Sequence, residues 1–308
     1  MNTTMQTLLK KGNALRHKVQ LSRIFIYVFL IIMSYMFLYP FLYMIVTSIK
    51  SQADLFDVSI NWIPSGAEWQ NWRAAFVNLD FSAHIWNSLL IVSVCTLGHI
   101  LSCAFIAYGF ARYQFPLKGL WFVLVVLTII IPSQVIILPL YLTYTDMGWL
   151  NTYLPLMVPC FFGFGLRGGI MIFLFRQFFI GLPRDLENAA KIDGCSFMGA
   201  YFRIAFPTAR SSILVCFVLS VVWHWNDYYE PVIYLGKSSQ WPLPAMLPTI
   251  YEKYLAASAE LTTNADSIIT RGVLMAAALL VIAVMLLMYC VVQRQFIQGL
   301  EHSGLSAE

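Results

Sequence analysis

The stretch FSAHIWNSLLIVSVCTLGHILSCAFIAYGFA, from Phe81 to Ala111, contains no Asp, Glu, Lys or Arg and lies between Asp80 and Arg112. About 20 helical residues suffice to cross the hydrocarbon core of a bilayer. A strand of a membrane β-barrel would instead alternate polar and apolar residues over about ten positions. The stretch therefore predicts a membrane-spanning helix.

Similar uncharged stretches lie on both sides of this one, and lipid requires each to satisfy its backbone as a helix. The chain of 308 residues is 59% hydrophobic and 11% charged, which excludes a water-soluble globule because such proteins are about a quarter charged. The sequence thus predicts an all-α polytopic membrane protein with six transmembrane helices. The other five stretches are Ile24 to Ile49, Gly119 to Thr145, Met147 to Phe175 interrupted by Arg167, the run from Arg210 to Asp227, and Gly272 to Gln293.

Lys and Arg concentrate in alternate connections, before Ile24, after the second and fourth spans, and in the tail. This bias predicts that both termini are cytoplasmic. The net charge of +4 then reflects topology and requires no nucleic-acid partner. The predicted organisation is a cytoplasmic segment at 1–23, a membrane domain at 24–293 with a cytoplasmic loop at 181–207 and an outer loop at 231–270, and a cytoplasmic tail at 294–308.

The six cysteines show no paired spacing typical of a zinc site or a disulfide framework. They are interpreted as small apolar filler, and no metal site is predicted. Five lie inside predicted spans and one in the cytoplasmic loop: Cys95, Cys103, Cys160, Cys216, Cys290 and Cys195.

The cytoplasmic loop, GLPRDLENAAKIDGCSFMGAYFRIAFP from Gly181 to Pro207, predicts two short helices with a turn between them. Pro183 suits a helix start, Gly194 a helix stop, and Ser196 an N-cap. An apolar stripe at helical spacing follows the cap. A charged, amphipathic hairpin outside the membrane indicates a docking element for a soluble partner. The stripe consists of Phe197, Ala200, Tyr201 and Ile204.

The spacing of Ala189, Ala190, Gly194, Ile204 and Pro207 resembles the EAA loop of permease subunits in binding-protein-dependent ABC importers. The words FLYPFLYMIVTSIKSQADLF, WHWNDYYEPVIYL and QRQFIQGL, in chain order, are similar to the carbohydrate branch, in particular the six-span maltose-type subunit. Two positions depart from the pattern. Asn188 stands where the motif has Glu, although Glu187 precedes it, and Phe206 replaces Leu.

The resemblance implies a type I, MetI-like permease architecture in a bacterial-type inner or plasma membrane. It implies a second homologous permease subunit, a cytoplasmic ABC ATPase dimer and an extracytoplasmic binding protein that delivers a sugar. No cofactor is expected in this chain, because ATP and Mg would bind the partner ATPase. The residues implied in ATPase coupling are Glu187, Asn188, Ala189, Ala190, Gly194, Ile204 and Pro207.

Two further groups of residues are candidates. By family likeness, Gln298, Gly299 and Leu300 in the tail form a second contact with the ATPase. Polar residues at membrane depth are functional candidates by default, here as pathway, gate or structural groups. These pathway residues are Arg167, which lies in a glycine-rich break, and Trp225, Asn226, Asp227 and Glu230 near the outer end of the fifth span.

Two other classes of function remain open at this stage. A membrane-embedded protease would need a facing Ser and His, and Ser93, Ser102, His99 and His224 supply such groups, but the sequence contains no GxSxG word. A secondary transporter would work without an ATPase. The sequence contains no GxxxxGK[ST] motif, so the chain would not hydrolyse ATP through a P-loop.

Overall fold

The computed structural model describes the backbone of residues 2–57, 59, 62–165, 167–192, 194–259 and 269–305. Side chains are described within these ranges except at 2–22, 133, 186, 191, 257–259, 292 and 294–305. Part of the predicted outer loop, 260–268, and the last positions of the tail, 306–308, lie outside the described residues. All regular structure in the described ranges is helical, which confirms the all-α class.

The chain forms two compact units, Met1–Arg73 with Ile269–Leu279, and Ala74–Ile268 with Leu280–Glu308. In the first unit, α1 (Asn2–Ser48) is followed by α2 (Gln52–Phe56). The amide nitrogen of Asn71 donates to the carbonyls of Ser48 at 3.0 Å and Lys50 at 2.9 Å. These bonds satisfy acceptors that the end of α1 would otherwise leave unpaired. The connection that follows α1 is therefore folded against its own helix end.

The second unit is built around one long helix, α4, whose middle turns are buried. α3 (Gln70–Asn78) leads into this unit from the first, and α15 (Arg271–Leu305) begins in the first unit and ends in the second. The remaining helices are α4 (Phe81–Arg112), α5 (Lys118–Ile130), α6 (Ser133–Asp146), α7 (Leu154–Met157), α8 (Gly168–Gly181), α9 (Arg184–Ile192), α10 (Phe197–Ala200), α11 (Phe206–Thr208), α12 (Arg210–Asn226), α13 (Tyr229–Tyr234) and α14 (Leu247–Ala259).

Within the described residues, three helical segments are long and apolar enough to cross a membrane: Arg23–Ser48, Phe81–Arg112 and Arg271–Val291. Two bent pairs raise this number to five if each pair is one span. α5 and α6 meet at 105°, and the segment Phe197–Thr208 meets α12 at 74°. The predicted number of six spans is not confirmed.

The difference arises at proline and glycine positions inside apolar runs. The predicted third span, Gly119 to Thr145, is two helices because Pro132 has no N–H and holds the preceding residue, Ile131, in an extended conformation. The predicted fourth span breaks at Gly163, Gly165 and Arg167, whose φ angles are 68°, 102° and 62°. Its second half, α8, has 14 residues and is about 21 Å long, short of the roughly 30 Å core.

Gly169 permits the close crossing of α8 over α5, and we predict that Gly169→Ala destabilises the second unit. A Cβ at this position would lie 2.9 Å from the carbonyl oxygen of Val125 and still closer to the Thr128 hydroxyl, so the helices must separate. Overpacking of this kind costs about 1 to 3 kcal/mol. The measurement is the thermal unfolding midpoint of the detergent-solubilised chain.

The matched control is Gly181→Ala at the end of the same helix, where an added Cβ would meet nothing within 4 Å. Because alanine is the better helix former, this change should be neutral or slightly stabilising. Equal midpoints for the two variants would contradict the close crossing.

Candidate functional site

The loop 181–207 is a helical hairpin with the predicted turn. α9 ends where the N–H of Cys195 donates to the carbonyl of Ala190 at 2.9 Å, a Schellman closure with Gly194 at φ 79°. The Ser196 hydroxyl then accepts from the N–H of Gly199 at 3.2 Å and caps α10. The helix stop at Gly194 and the cap at Ser196 are confirmed.

The first arm of the hairpin is attached to α4 by a buried ion pair. Arg112, the last residue of α4, places Nε 2.7 Å from Oε1 of Glu187, and both side chains are 5% exposed. Its Nη2 also donates to the carbonyl of Leu182 at 2.6 Å. Glu187 therefore faces the bundle, and its carboxylate is paired inside this chain. Sequence reasoning did not identify Arg112, which lies 75 positions away.

The second arm packs through aromatic rings. Phe197 makes an edge contact with Tyr113 at 4.8 Å between centroids and a stacked contact with Tyr108 at 5.7 Å. Tyr201 is buried and lies 5.2 Å from Tyr108. Burial raises the pKa of Tyr113, which follows α4. Of the predicted stripe, Ala200 and Tyr201 are buried, while Ile204 is half-buried.

After α10 the helix widens to π geometry over Tyr201–Ala205, just before Pro207. The N–H of Phe206 donates to the carbonyl of Tyr201, five residues earlier. Because Pro207 cannot donate, this widening accompanies the 74° bend into α12. The second arm of the hairpin therefore leads directly into α12, with a sharp bend between them.

The opposite side of the hairpin is exposed. Asn188 and Ala189, from the candidate set, are exposed, Ala190 is half-buried, and the position of a Cβ on Gly194 is open space. Three apolar side chains are also exposed here, with Ile192 at 86%. We call Asn188, Ala189, Ile192, Met198 and Phe202 the exposed hairpin residues. The tail candidates Gln298, Gly299 and Leu300 lie in α15, and their side chains are outside the described residues.

A cavity of about 1010 Å³ lies among the helices of the second unit. Its wall is largely apolar, and Arg167, Asp227 and Glu230 are among its lining residues. The guanidinium of Arg167 lies 4.9 Å from the ring centroid of Trp223. The cavity is thus large enough for a small ligand and has a few polar groups directed into it. Other polar lining residues are Thr128, Gln134, Thr143, Tyr144, His224 and Tyr234.

The residues at the end of α12 occupy different environments. Asp227 Oδ1 accepts from the N–H groups of Tyr229 at 3.1 Å and Glu230 at 3.3 Å, so it caps α13 while also lining the cavity. Trp225 is buried, and the Asn226 amide donates to the carbonyl of Val222 at 2.8 Å. Neither Trp225 nor Asn226 is among the described residues that line the cavity.

The two carboxylates beyond α12 are electrostatically unfavourable as a charged pair. Burial raises the pKa of Asp227, although hydrogen bonds from the backbone of α13 and the charge of Arg167 oppose this shift. Burial also raises the pKa of Glu230, and the neighbouring charge of Asp227 adds to the rise. The pKa values of both carboxyl groups are therefore raised.

A buried polar cluster lies beside the cavity. The donor atoms of Cys95, Cys160 and His224 lie within 4.8 Å of one another. His224 Nε2 is 3.2 Å from His99 Nδ1, and the two rings stack at 5.2 Å between centroids. Sequence reasoning interpreted these cysteines as filler, and the spacing of Cys95 and His99, four apart on α4, was the one local signal.

The hydroxyl of Ser102, which lies next to this cluster, is hydrogen-bonded to the backbone. The Ser102 hydroxyl donates to the carbonyl of Cys160 at 2.7 Å and accepts from the N–H of Gly163 at 3.1 Å. His99 faces the carbonyl of Phe164 at 3.3 Å through Nε2. Ser102 therefore stabilises the broken segment before α8 and makes no hydrogen bond to a histidine among the described contacts. This arrangement does not favour an intramembrane protease.

Helices are the regular structure of the described residues, three segments are long and apolar enough to cross a membrane, and an amphipathic hairpin is exposed, as in a membrane transport component. The chain belongs to the family of binding-protein-dependent transport system inner membrane components, whose pattern matches residues 100–301. The family resemblance inferred from the EAA loop is thereby confirmed, and the chain is a transport subunit of an inner membrane.

The chain is also similar to individual characterised permeases. It is 28% identical over 296 residues to the arabinooligosaccharides transport system permease protein AraQ of Bacillus subtilis (strain 168), covering 94% of this chain and 99% of that protein. It is 31% identical over 222 residues to the sn-glycerol-3-phosphate transport system permease protein UgpE of Yersinia enterocolitica, covering 70% and 77%.

A solved structure has the same fold. A chain from a bacterial ABC transporter that imports the acidic polysaccharide alginate aligns with a TM-score of 0.74 at 18% identity, covering 90% of this chain and 97% of that chain. The broken and bent helices described above are therefore compatible with a permease fold.

Proposed function

We propose that this chain is one of two homologous membrane-spanning subunits of an ATP-driven importer that translocates a carbohydrate. An extracytoplasmic binding protein delivers the sugar, and a cytoplasmic ATPase dimer, which holds ATP and Mg, drives the cycle. The observation that carries this proposal is the hairpin, which is held by charge and aromatic contacts on one side and has exposed apolar side chains on the other.

The exposed hairpin residues form the docking surface for the ATPase in this proposal. Apolar side chains such as Ile192 and Phe202 are unfavourable in water and gain free energy in a partner's cleft. Movement of the docked hairpin passes through the Arg112–Glu187 pair to α4 and through the π segment to α12. Rigid-body motion of these helices then changes access to the cavity. The tail residues Gln298, Gly299 and Leu300 provide a second ATPase contact, and both termini are cytoplasmic.

The cavity is the candidate pathway, and its groups suit a neutral, hydroxyl-rich ligand. Among the described lining residues Arg167 is the one cation, whereas Asp227 and Glu230 are both acids. A phosphate ester would meet two carboxyl groups, but sugar hydroxyls can donate to a carboxylate and accept from a carboxylic acid. We therefore propose a neutral sugar or oligosaccharide, as for the arabinooligosaccharide relative. Trp225 and Asn226 have structural roles beside the pathway.

We expect the chain purified from native membranes to bring with it an ATPase and a second permease subunit. Vesicles that contain this complex should accumulate the sugar only when ATP is enclosed with the ATPase domains and the loaded binding protein is present on the other side. The measurement is uptake of radiolabelled sugar, with the sugar identified by screening ligands of the cognate binding protein.

Two controls separate this function from secondary transport. Vesicles with ADP in place of ATP, and vesicles with the chain alone, should show no uptake above background. Uptake by the chain alone, driven by an ion gradient, would establish a secondary transporter and contradict the proposal.

A further inference from the structure

Four metal-binding side chains from three separate elements meet inside the second unit. α4 supplies Cys95 and His99, the 3₁₀ turn Val158–Phe162 supplies Cys160, and α12 supplies His224. Both cysteines and His99 have no exposed surface, and His224 is 6% exposed. We propose that these four side chains form a binding site for a thiophilic divalent cation, with Zn²⁺ as the favoured ion.

The distances are close to those of a tetrahedral zinc site. Bonds of about 2.0 Å to nitrogen and 2.3 Å to sulfur place neighbouring donors roughly 3.3 to 3.8 Å apart. Nε2 of His224 is 3.2 Å from Nδ1 of His99, and the donors of Cys95, Cys160 and His224 lie within 4.8 Å of one another. The donors of Cys95, Cys160 and His224 therefore lie near the spacing that one ion requires, and His99 joins this group through its contact with His224.

His99 has the second hydrogen bond expected of a metal ligand. Its Nε2 lies 3.3 Å from the carbonyl of Phe164, so an Nε2–H that donates there leaves the lone pair on Nδ1. Ligand histidines commonly donate their other ring N–H to a backbone carbonyl in this way, which fixes the tautomer. The lone pair then faces Nε2 of His224 at 3.2 Å.

Charge also selects the ion. Binding of Zn²⁺ displaces one proton from each thiol, and two thiolates with two neutral imidazoles give a complex with no net charge. A neutral complex is the form that burial among apolar helices permits, because an uncompensated charge there is costly. Cu⁺ with the same ligands would leave one negative charge. His224 lines the cavity, which gives the ion an entry path and the two protons an exit.

The site links elements that the proposed transport cycle moves. α12 follows the hairpin directly, whereas Cys95 and His99 belong to the central helix. An ion held by both helices and by the 3₁₀ turn would oppose their relative motion.

The test uses the full chain, purified in detergent with a non-thiol reductant and stripped of metal. Titration with Co²⁺ should produce a sulfur-to-cobalt charge-transfer band that saturates at one ion per chain, and Zn²⁺ should abolish the band. Cys95→Ser and Cys160→Ser should each weaken binding and reduce the band by about half or more, because one of two thiolates is lost, and His99→Phe should weaken binding at least as much as the roughly 10- to 100-fold that loss of an outer-shell partner costs. Cys290→Ser, at an exposed position on α15, is the matched control and should keep it.

If the cysteine variants do not fold, X-ray absorption of the zinc-loaded wild-type chain decides the question. Sulfur scatterers at about 2.3 Å together with imidazole scatterers support the site, and a shell of oxygen or nitrogen alone overturns it. Absence of the cobalt band in the wild type, or an undiminished band with unchanged affinity in Cys95→Ser, also overturns it. These readouts need no transport, so they are independent of the proposed import function.

Discussion

Replacement of Gly194 by aspartate is expected to abolish the sugar-stimulated ATP hydrolysis of the reconstituted complex while the chain stays inserted in the membrane. Gly194 closes α9 at φ 79°, and the space where a Cβ would stand is empty. Aspartate tolerates the left-handed region better than most residues, so the hairpin itself should still fold. The measurement is the rate of ATP hydrolysis with and without loaded binding protein.

The loss arises at the surface that the hairpin presents to its partner. Close by in the chain, Ile192 and Met198 are exposed apolar side chains, 86% and 50% accessible. A carboxylate at position 194 that is buried against the ATPase without a cationic partner would cost several kcal/mol. A penalty of about 3 kcal/mol corresponds to a more than 100-fold weaker contact with the ATPase. Stimulation should therefore fall to the basal rate.

Two further variants at this position separate charge from conformation. Gly194→Asn has nearly the same shape as Gly194→Asp and accepts the left-handed region, but it is uncharged, so most of the stimulation should remain. Gly194→Ala adds only a methyl group and strains the turn by about 1 kcal/mol. Unchanged stimulation in Gly194→Asp, or equal loss in Gly194→Asn, would show that charge exclusion at the docking surface is not the cause.

Much of this hairpin was predictable because its structure is specified locally. The stop at Gly194 needs only a left-handed residue after α9, and the cap at Ser196 needs only a hydroxyl before α10. Both are short-range signals, complete within a few residues of the sequence.

The breaks within apolar stretches were harder to predict because hydrophobicity is continuous across them. Met147 to Phe175 was counted as one span with an interruption at Arg167, and the structure shows that Gly163 and Gly165 also adopt positive φ and end the helical path before α8 begins. Glycine in an apolar run is compatible with a close helix crossing as well as with a break in the helix. The sequence alone does not show which of the two a given glycine forms. Gly163 and Gly165 form the break, whereas Gly169 forms the crossing.

The side-chain partners could not be predicted because they depend on contacts between distant parts of the chain. Glu187 was interpreted as a charge offered to the ATPase, but it lies inside and pairs with Arg112, 75 positions earlier. Cys160 and His224 likewise meet Cys95 across 65 and 129 positions of sequence. The role of Glu187 in coupling remains a prediction, now as a positioning residue and not as a surface charge.

Replacement of Glu187, the acidic member of the Arg112–Glu187 pair, is the second change that we expect to have a large effect. We predict that Glu187→Ala lowers the free energy of unfolding of the chain by about 3 kcal/mol, because Arg112 is left buried, 5% exposed, without its counter-charge. The first arm of the hairpin then loses its attachment to α4, so ATP hydrolysis continues but moves less sugar. The measurements are chemical unfolding of the solubilised chain and the ratio of sugar transported to ATP hydrolysed.

Asp185→Ala is the matched control, because Asp185 is an exposed acid in the same first turn of α9. Its loss should change the free energy of unfolding by no more than about 0.5 kcal/mol and should leave the ratio of sugar transported to ATP hydrolysed unchanged.

The double variant Arg112→Leu/Glu187→Leu extends the test, because it removes both charges and leaves none unpaired. Stability should then recover, as it does when a buried ion pair is replaced by apolar side chains. If the ratio of sugar transported to ATP hydrolysed stays low in this stable variant, the motion is transmitted by the geometry of the Arg112 guanidinium, which also binds the Leu182 carbonyl.

If Glu187→Ala behaves like Asp185→Ala in both measurements, the pair neither stabilises the hairpin nor transmits force. Coupling must then pass through the aromatic contacts of Tyr201 and Phe197.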